Sequence, residues 1–253
     1  MPVSLKELEL ELKQVLRPEQ FKDYCPNGLQ VEGRENVSKL VTGVTACQEL
    51  IEAAVEVGAD ALLVHHGYFW RGEDQSISGI KKSRIETLLK HDISLLAYHL
   101  PLDVHSEFGN NVQLAKVLGI EIEGELGKQN NHPIGLTGVP TRELDFDALE
   151  ALITDKLGRK PLAIAGSATN IRSIAWCTGA AQNYIELAVA AGVDAYITGE
   201  VSEPTVHIAR ETGIHFFSAG HHATERYGVQ AIGSHLAEKF ALDHQFIDVD
   251  NPV

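Results

Sequence analysis

The sequence predicts an α/β protein built from two duplicated α/β halves with mainly parallel sheets, and two observations carry that prediction. First, residues 40–60, LVTGVTACQELIEAAVEVGAD, recur 134 positions later as residues 174–194, IAWCTGAAQNYIELAVAAGVD. Gln48 matches Gln182, Ile51 matches Ile185, Glu52 matches Glu186, and Gly58-x-Asp60-Ala61 matches Gly192-x-Asp194-Ala195. Second, each copy reads as strand, turn, helix, glycine stop and second strand, the βαβ unit that joins parallel strands. Any two such units share that outline; identities held in one ungapped register favour a duplication. Residues 1–125 are expected to form the first half and 126–253 the second.

Taken in order, Ser4-x-x-Glu7 reads as a capping box, and Leu5, Leu8, Leu12 and Leu16 follow at helical spacing, so the chain opens with an amphipathic helix. Residues 23–30, DYCPNGLQ, form a turn-rich loop, because proline fixes φ and Asn-Gly tolerates positive φ. The first βαβ copy ends in an apolar strand, Ala61 to Val64, that runs straight into His65 and His66. Adjacent strand residues point to opposite faces, so one metal reaches both imidazoles only if the chain turns at Gly67. Two metals meet the geometry more simply. Residues 93–99 read as another strand, which Pro101 ends, leaving Asp103 on a loop at the same sheet edge.

In the second copy Thr198-Gly199-Glu200 replaces Val64-His65-His66, so the imidazole pair belongs to one half only. Ligands gather beyond the carboxyl ends of parallel strands, which makes Glu200 a candidate for a contact behind the ligands or with substrate. After Gly220 a helix is expected to Phe240, with Val229, Ile232, Leu236 and Phe240 as its buried stripe. Extended backward by helical turns, that stripe meets Glu225 and His221, while His222 falls on the polar side with Arg226, Gln230 and Gly233.

Composition sets the outer limits. The 253 residues, 44% of them hydrophobic, can bury a full core, and no apolar run approaches the roughly 20 residues of a membrane span. No signal-peptide pattern opens the chain, and the three cysteines, Cys25, Cys47 and Cys177, lack CxxC spacing; both fit a reducing cytoplasm. A formal net charge of −14 argues against non-specific nucleic-acid binding, which needs clustered Lys and Arg.

Imidazoles and carboxylates without a thiolate suit a first-row divalent metal, with Zn, Mn and Fe all open. Among 12 histidines an isolated one carries little weight, and His132, His207, His235 and His244 receive no role. His99 and His105 stand near Asp103 as partners behind the ligands or as acid/base groups.

Together DYCPNGLQVEG, LLVHHGYFW, YHLPLDVH, GNN, YITGE and GHHATERYG resemble the NIF-three-like dinuclear-metal family in its short bacterial form, over nearly the whole chain. The resemblance implies two interlocked α/β halves, a toroidal homohexamer, and two divalent metal ions per chain. It places one metal on His65 and His221 and the other on His66 and Asp103, with Glu225 bridging. Longer relatives insert a domain between the halves, for which the joint at residues 125–141 is too short.

Such proteins are commonly labelled homologues of a type 2 GTP cyclohydrolase 1. The expected function is metal-dependent hydrolysis of a nucleotide-like small-molecule substrate, with His99 or Glu200 handling protons. No GxxxxGK[ST] loop supports triphosphate binding, and a phosphoesterase is the neighbouring reading. The alternative is a non-enzymatic metal-handling or interaction scaffold.

Overall fold

The computed structural model describes residues 2–129 and 132–253. Met1, Asn130 and Asn131, which belong to the N-terminal and joint readings above, lie outside the described residues. The chain divides into two compact units: residues up to Phe108 with Gly228–Asp250, and Gly109–Tyr227 with Asn251–Val253. This differs from the contiguous division at residue 125. Helix Asn110–Leu118 packs in the core of the second unit, and strand Ile120–Gln129 pairs antiparallel with His132–Pro140, so residues 109–125 belong there. At the other end, strand Asp243–Phe246 pairs parallel with Lys39–Thr45, which returns the end of the chain to the first unit.

The first unit holds a five-stranded sheet in the order Asp243–Phe246, Lys39–Thr45, Ala61–His66, Ser94–Ala97, Gly28–Val31. Only the last pairing is antiparallel. Side chains alternate between its faces. Leu40, Ala61, Leu63 and Leu96 pack with helix Leu5–Leu16 and with Val229, Ile232 and Leu236. Val41, Leu62, Val64 and Leu95 pack under helices Gln48–Glu56 and Gly79–Lys90. A parallel strand covered on both faces reads as a continuous apolar run, which is what Ala61 to Val64 is. The expected capping box is present, with the Glu7 amide donating to Ser4 Oγ at 3.2 Å and the Ser4 amide to Glu7 Oε2 at 3.2 Å.

The second unit's sheet runs Ile120–Gln129, His132–Pro140, Ile174–Cys177, Ala195–Thr198, His215–Ser218, Leu162–Ile164. It is parallel at its centre and antiparallel at both flanks. Ile174, Trp176, Ile197 and Phe217 face one core and Ala175, Cys177, Tyr196 and Phe216 the other.

The duplication is visible in hydrogen bonds as well as identities. Asp60 accepts from the amides of Ser38 and Lys39 at 2.7 and 2.9 Å, and Asp194 accepts from those of Arg172 and Ser173 at 2.8 and 3.0 Å. Gly58 and Gly192 take φ of +72° and +71°, a left-handed helix end that glycine adopts without a β-carbon clash.

Candidate metal centre

In the first unit His65 and His66 end strand Ala61–His66, at the carboxyl edge of the sheet. Strand alternation would separate their rings, yet the ring centroids lie 4.5 Å apart. The alternation lapses because the strand stops here. Gly67 follows in a space that excludes a side chain, since a β-carbon there would meet Gln30 Oε1 at 2.2 Å and the Ala97 β-carbon at 2.6 Å.

Each ring is anchored through Nδ1. His65 Nδ1 lies 3.0 Å from the Tyr98 carbonyl oxygen, and His66 Nδ1 lies 3.0 Å from the Thr45 hydroxyl. A carbonyl only accepts, so Nδ1 of His65 carries the proton and neutral His65 presents its lone pair at Nε2. That Nε2 faces Asp103 Oδ1 at 3.3 Å.

Asp103 sits in a short helix, Leu100–Val104, rather than on the expected loop; Pro101 suits the first helical turn, where its fixed φ is helical and its missing N–H is not needed.

His99 joins this cluster. Nitrogens of His65, His66 and His99 all lie within 4.8 Å of one another. His99 is held by the DYCPNG loop, whose Asp23 Oδ1 lies 2.7 Å from His99 Nδ1 and whose Asn27 Oδ1 accepts from the His99 amide at 2.7 Å. Asp23 also accepts from the amides of Tyr24 and Leu100 and from Asn27. Burial raises its carboxyl pKa, but the His99 contact and these donors outweigh burial and hold it below the usual range. An ionised Asp23 fixes the His99 proton on Nδ1, as carboxylates do behind metal-bound imidazoles.

Trp70 forms a wall, with its ring 5.0 Å from His99 and 6.0 Å from His66. His105 belongs elsewhere: its Nδ1 accepts from the amides of Glu107 and Phe108, and its ring stacks on Phe108.

In the second unit His221 opens helix His221–Phe240, and Glu225 lies one turn on. The i, i+4 spacing puts both on one face, and His221 Nε2 lies 3.0 Å from Glu225 Oε2. The expected stripe is buried: Val229, Ile232 and Leu236 are each 0% exposed and Glu225 only 3%. His221 Nδ1 is 2.7 Å from Glu200 Oε1, so Glu200 touches a ligand candidate directly and orients its ring. Burial alone would lower the His221 pKa, but Glu225 and then Glu200 reverse this and lift it to about 9.

Glycines make the approach possible. A β-carbon on Gly179 would stand 2.0 Å from Glu225 Oε1 and 3.3 Å from His221 Nε2, and one on Gly199 would stand 2.6 Å from the His221 α-carbon.

Each unit thus presents imidazole nitrogen beside carboxylate oxygen. A lone pair 3.3 Å from an anionic oxygen is unfavourable without a cation or proton between them, which fits a divalent metal at His65 and Asp103. At His221 a proton serves in the metal-free protein and a metal can replace it. Among the described residues Cys25 brings a sulfur close to Asp23 and His99, and burial and the Asp23 charge push its pKa up to about 12; around His65, His66, Asp103, His221 and Glu225 the donor set is nitrogen and oxygen. Such a set suits Zn, Mn or Fe.

Sequence reasoning named His65, His66, Asp103, His99, His221, Glu225 and Glu200. It missed Asp23, Thr45, Trp70 and Gly179. The tight turn in DYCPNG was the one signal that could have led to Asp23.

The sequence profile of the Duf34/NIF3 (NGG1p interacting factor 3) family matches residues 3–252. The chain is 56% identical over 252 residues to a Pseudomonas aeruginosa protein named GTP cyclohydrolase 1 type 2 homolog, covering 100% of both. It is 53% identical over 251 residues to a Vibrio cholerae protein of the same name, covering 98% of both. A solved structure described as protein ybgI, of unknown function, matches with a TM-score of 0.95 at 50% identity, over 99% of this chain and 100% of that one.

Proposed function

The chain belongs to the Duf34/NIF3 family, and from that premise we propose that it is a cytoplasmic dinuclear divalent-metal protein that hydrolyses a nucleotide-like small molecule. The observation that carries this reading is the common orientation of four histidines. His65, His66, His99 and His221 all engage an oxygen through Nδ1, and Asp103 and Glu225 face Nε2 of His65 and His221.

His65, His66, Asp103, His221 and Glu225 would hold the two divalent ions. Bound in this way, a metal pair supplies hydroxide from water near neutral pH and a positive field for a developing oxyanion. The protein's own groups do the rest. Asp23 holds His99 with its Nδ1 protonated, so Nε2 can take a proton from a substrate or return one; Glu200 fixes His221 rather than handling protons itself. The names of the relatives, GTP cyclohydrolase 1 type 2 homolog, support a purine nucleotide as the first substrate to test. The active form is a closed homo-oligomer, a toroidal hexamer, which light scattering at micromolar concentration tests directly.

The decisive assay loads the protein in turn with Zn, Mn and Fe and measures turnover of GTP, other nucleotides and phosphoesters. Expected are metal-dependent hydrolysis, its loss in Glu225→Gln, and slowed turnover with metal retained in His99→Ala. Metal bound with no turnover above the Glu225→Gln background overturns the hydrolase reading in favour of a metal-handling scaffold.

A further inference from the structure

In the first unit a row of side chains runs outward from the imidazole cluster. The Trp70 ring lies 5.0 Å from His99, the Tyr24 ring meets His99 edge-on at 6.4 Å, and the Arg71 guanidinium stands 5.7 Å over the Tyr24 ring. Tyr24 is 46% exposed, an aromatic surface left open to water beside the candidate ligands.

The chain holds this row under strain. Phe69, just before Trp70, has φ of +65°, a left-handed backbone that a bulky side chain rarely takes. Such strain persists where neighbouring contacts over-determine it, and it gathers at functional sites. Those contacts are present. Trp70 Nε1 donates to the Gly67 carbonyl at 3.1 Å and the Trp70 amide to Glu73 Oε2 at 3.0 Å. The Arg71 amide donates to the Tyr24 carbonyl at 2.6 Å, and Arg71 Nη2 to the Asp23 carbonyl at 2.8 Å. The turn thereby sets Trp70 against His99 and ties Arg71 to Tyr24. Of the charges here, Asp23 is engaged by His99 and Glu73 by Lys81, whereas Arg71 forms no ion pair among the described residues.

We propose that Tyr24, Trp70 and Arg71 are the recognition residues of the neighbouring centre: the two rings take the flat base of a nucleotide by stacking, and the guanidinium takes its phosphate. The inference rests on the nucleotide reading above and adds the residues that tell base from phosphate. Every nucleobase has a π-face that stacks on an exposed aromatic ring. A guanidinium is always charged, weakly hydrated and suited to phosphate. His99 lies between the two rings in the row, so a base held there is brought to the imidazole whose Nε2 moves the proton.

The chain has two tryptophans and Trp176 is 0% exposed, so Trp70 reports stacking through its fluorescence. The test titrates the metal-loaded full chain with GMP, with guanosine, which lacks the phosphate, and with ribose 5-phosphate, which lacks the base, followed by fluorescence and calorimetry. GMP should quench Trp70 and bind at least about tenfold more tightly than either fragment. Tyr24→Ala should weaken GMP about tenfold, or about 1.4 kcal/mol, and leave ribose 5-phosphate unchanged. Arg71→Gln should weaken both phosphates and leave guanosine unchanged, with Arg71→Lys restoring most of the affinity and metal content constant throughout. Equal binding of GMP and ribose 5-phosphate, as chelation of the metals by phosphate alone would give, overturns the proposal. So does the absence of saturable binding at millimolar GMP, or GMP binding that neither Tyr24→Ala nor Arg71→Gln weakens. Turnover judges the hydrolase reading separately: the expected binding pattern without turnover removes the hydrolase and keeps the recognition residues, and turnover without that pattern does the reverse.

Discussion

Substituting Gly179 by alanine should strip metal from the site without unfolding the protein. The residue has φ of +70°, and its added β-carbon would stand 2.0 Å from Glu225 Oε1, about 1.4 Å inside the 3.4 Å of ordinary contact. Two effects are superimposed, and Gly192 separates them. It has φ of +71° with nothing within 4 Å of a β-carbon, so Gly192→Ala carries the backbone strain alone. That strain is worth about 1–2 kcal/mol, or a fall in Tm of about 2–4 °C per kcal/mol in a chain of this size.

Gly179→Ala should show a similar loss of stability together with displacement of the Glu225 carboxylate. Metal–oxygen distances tolerate only about 0.2 Å of error, so a shift of this size removes Glu225 as a ligand. Disturbing even a group behind the ligands costs about 10–100-fold in metal affinity, and the loss here should reach at least that. Chelator competition followed by elemental analysis reads the affinity, and thermal melts of the chelated proteins read the strain. If Gly179→Ala and Gly192→Ala hold metal equally well, Glu225 is not the ligand argued for here.

Three further outcomes follow from the same geometry. Elemental analysis of protein purified without chelator and then reloaded should approach two ions per chain, and saturation at one would remove the bridging role of Glu225. His221→Ala should lose metal and His222→Ala should largely keep it, because His221 shares a face with Glu225; the opposite order would refute that placement. In the metal-free protein the His221 pKa is lifted to about 9 from the ordinary 6.5. Its pairing with Glu225 and Glu200 therefore stabilises the fold fully below pH 6.5 and less and less as pH rises through 9. Melts in chelator between pH 6.5 and 9 should fall more steeply for wild type than for Glu200→Gln, and parallel curves would show that Glu200 does not lift that pKa.

What the sequence disclosed and what it hid differ in kind. The strand ending in His65-His66 was legible because two adjacent imidazoles close an otherwise apolar run, and His221 with Glu225 because helical periodicity is local. The matched Asp60 and Asp194 disclosed the duplication through a turn whose hydrogen bonds span only about twenty residues. Asp23 was illegible because its role is set by His99, 76 positions away, and one loop carboxylate resembles any other. Asp103 was placed on a loop because Pro101 was read as a stop, although proline equally starts a helix. The convergence of the His65 and His66 rings escaped because alternation is a rule for strand interiors, and these residues are where the strand ends.

The two copies show why their ligand sets cannot be alike. In the first unit Ala61 pairs with Ser94, and in the second Ala195 pairs with His215, which aligns the third strands. Tyr98 and Ala219 then correspond, and both donate to the equivalent carbonyl, of Val64 at 3.0 Å and of Thr198 at 2.7 Å. A helix starts two residues later in each, at Leu100 and at His221. In the first unit the strand end bears the imidazoles and the helix adds one carboxylate. In the second the helix bears both donors, and the position matching His65 is Gly199, where a β-carbon would stand 2.6 Å from the His221 α-carbon. The close approach that seats His221 thus excludes any side chain at the neighbouring strand end. A strand-end histidine and a helix-start histidine are therefore alternatives within one copy, and the two copies have diverged in opposite directions.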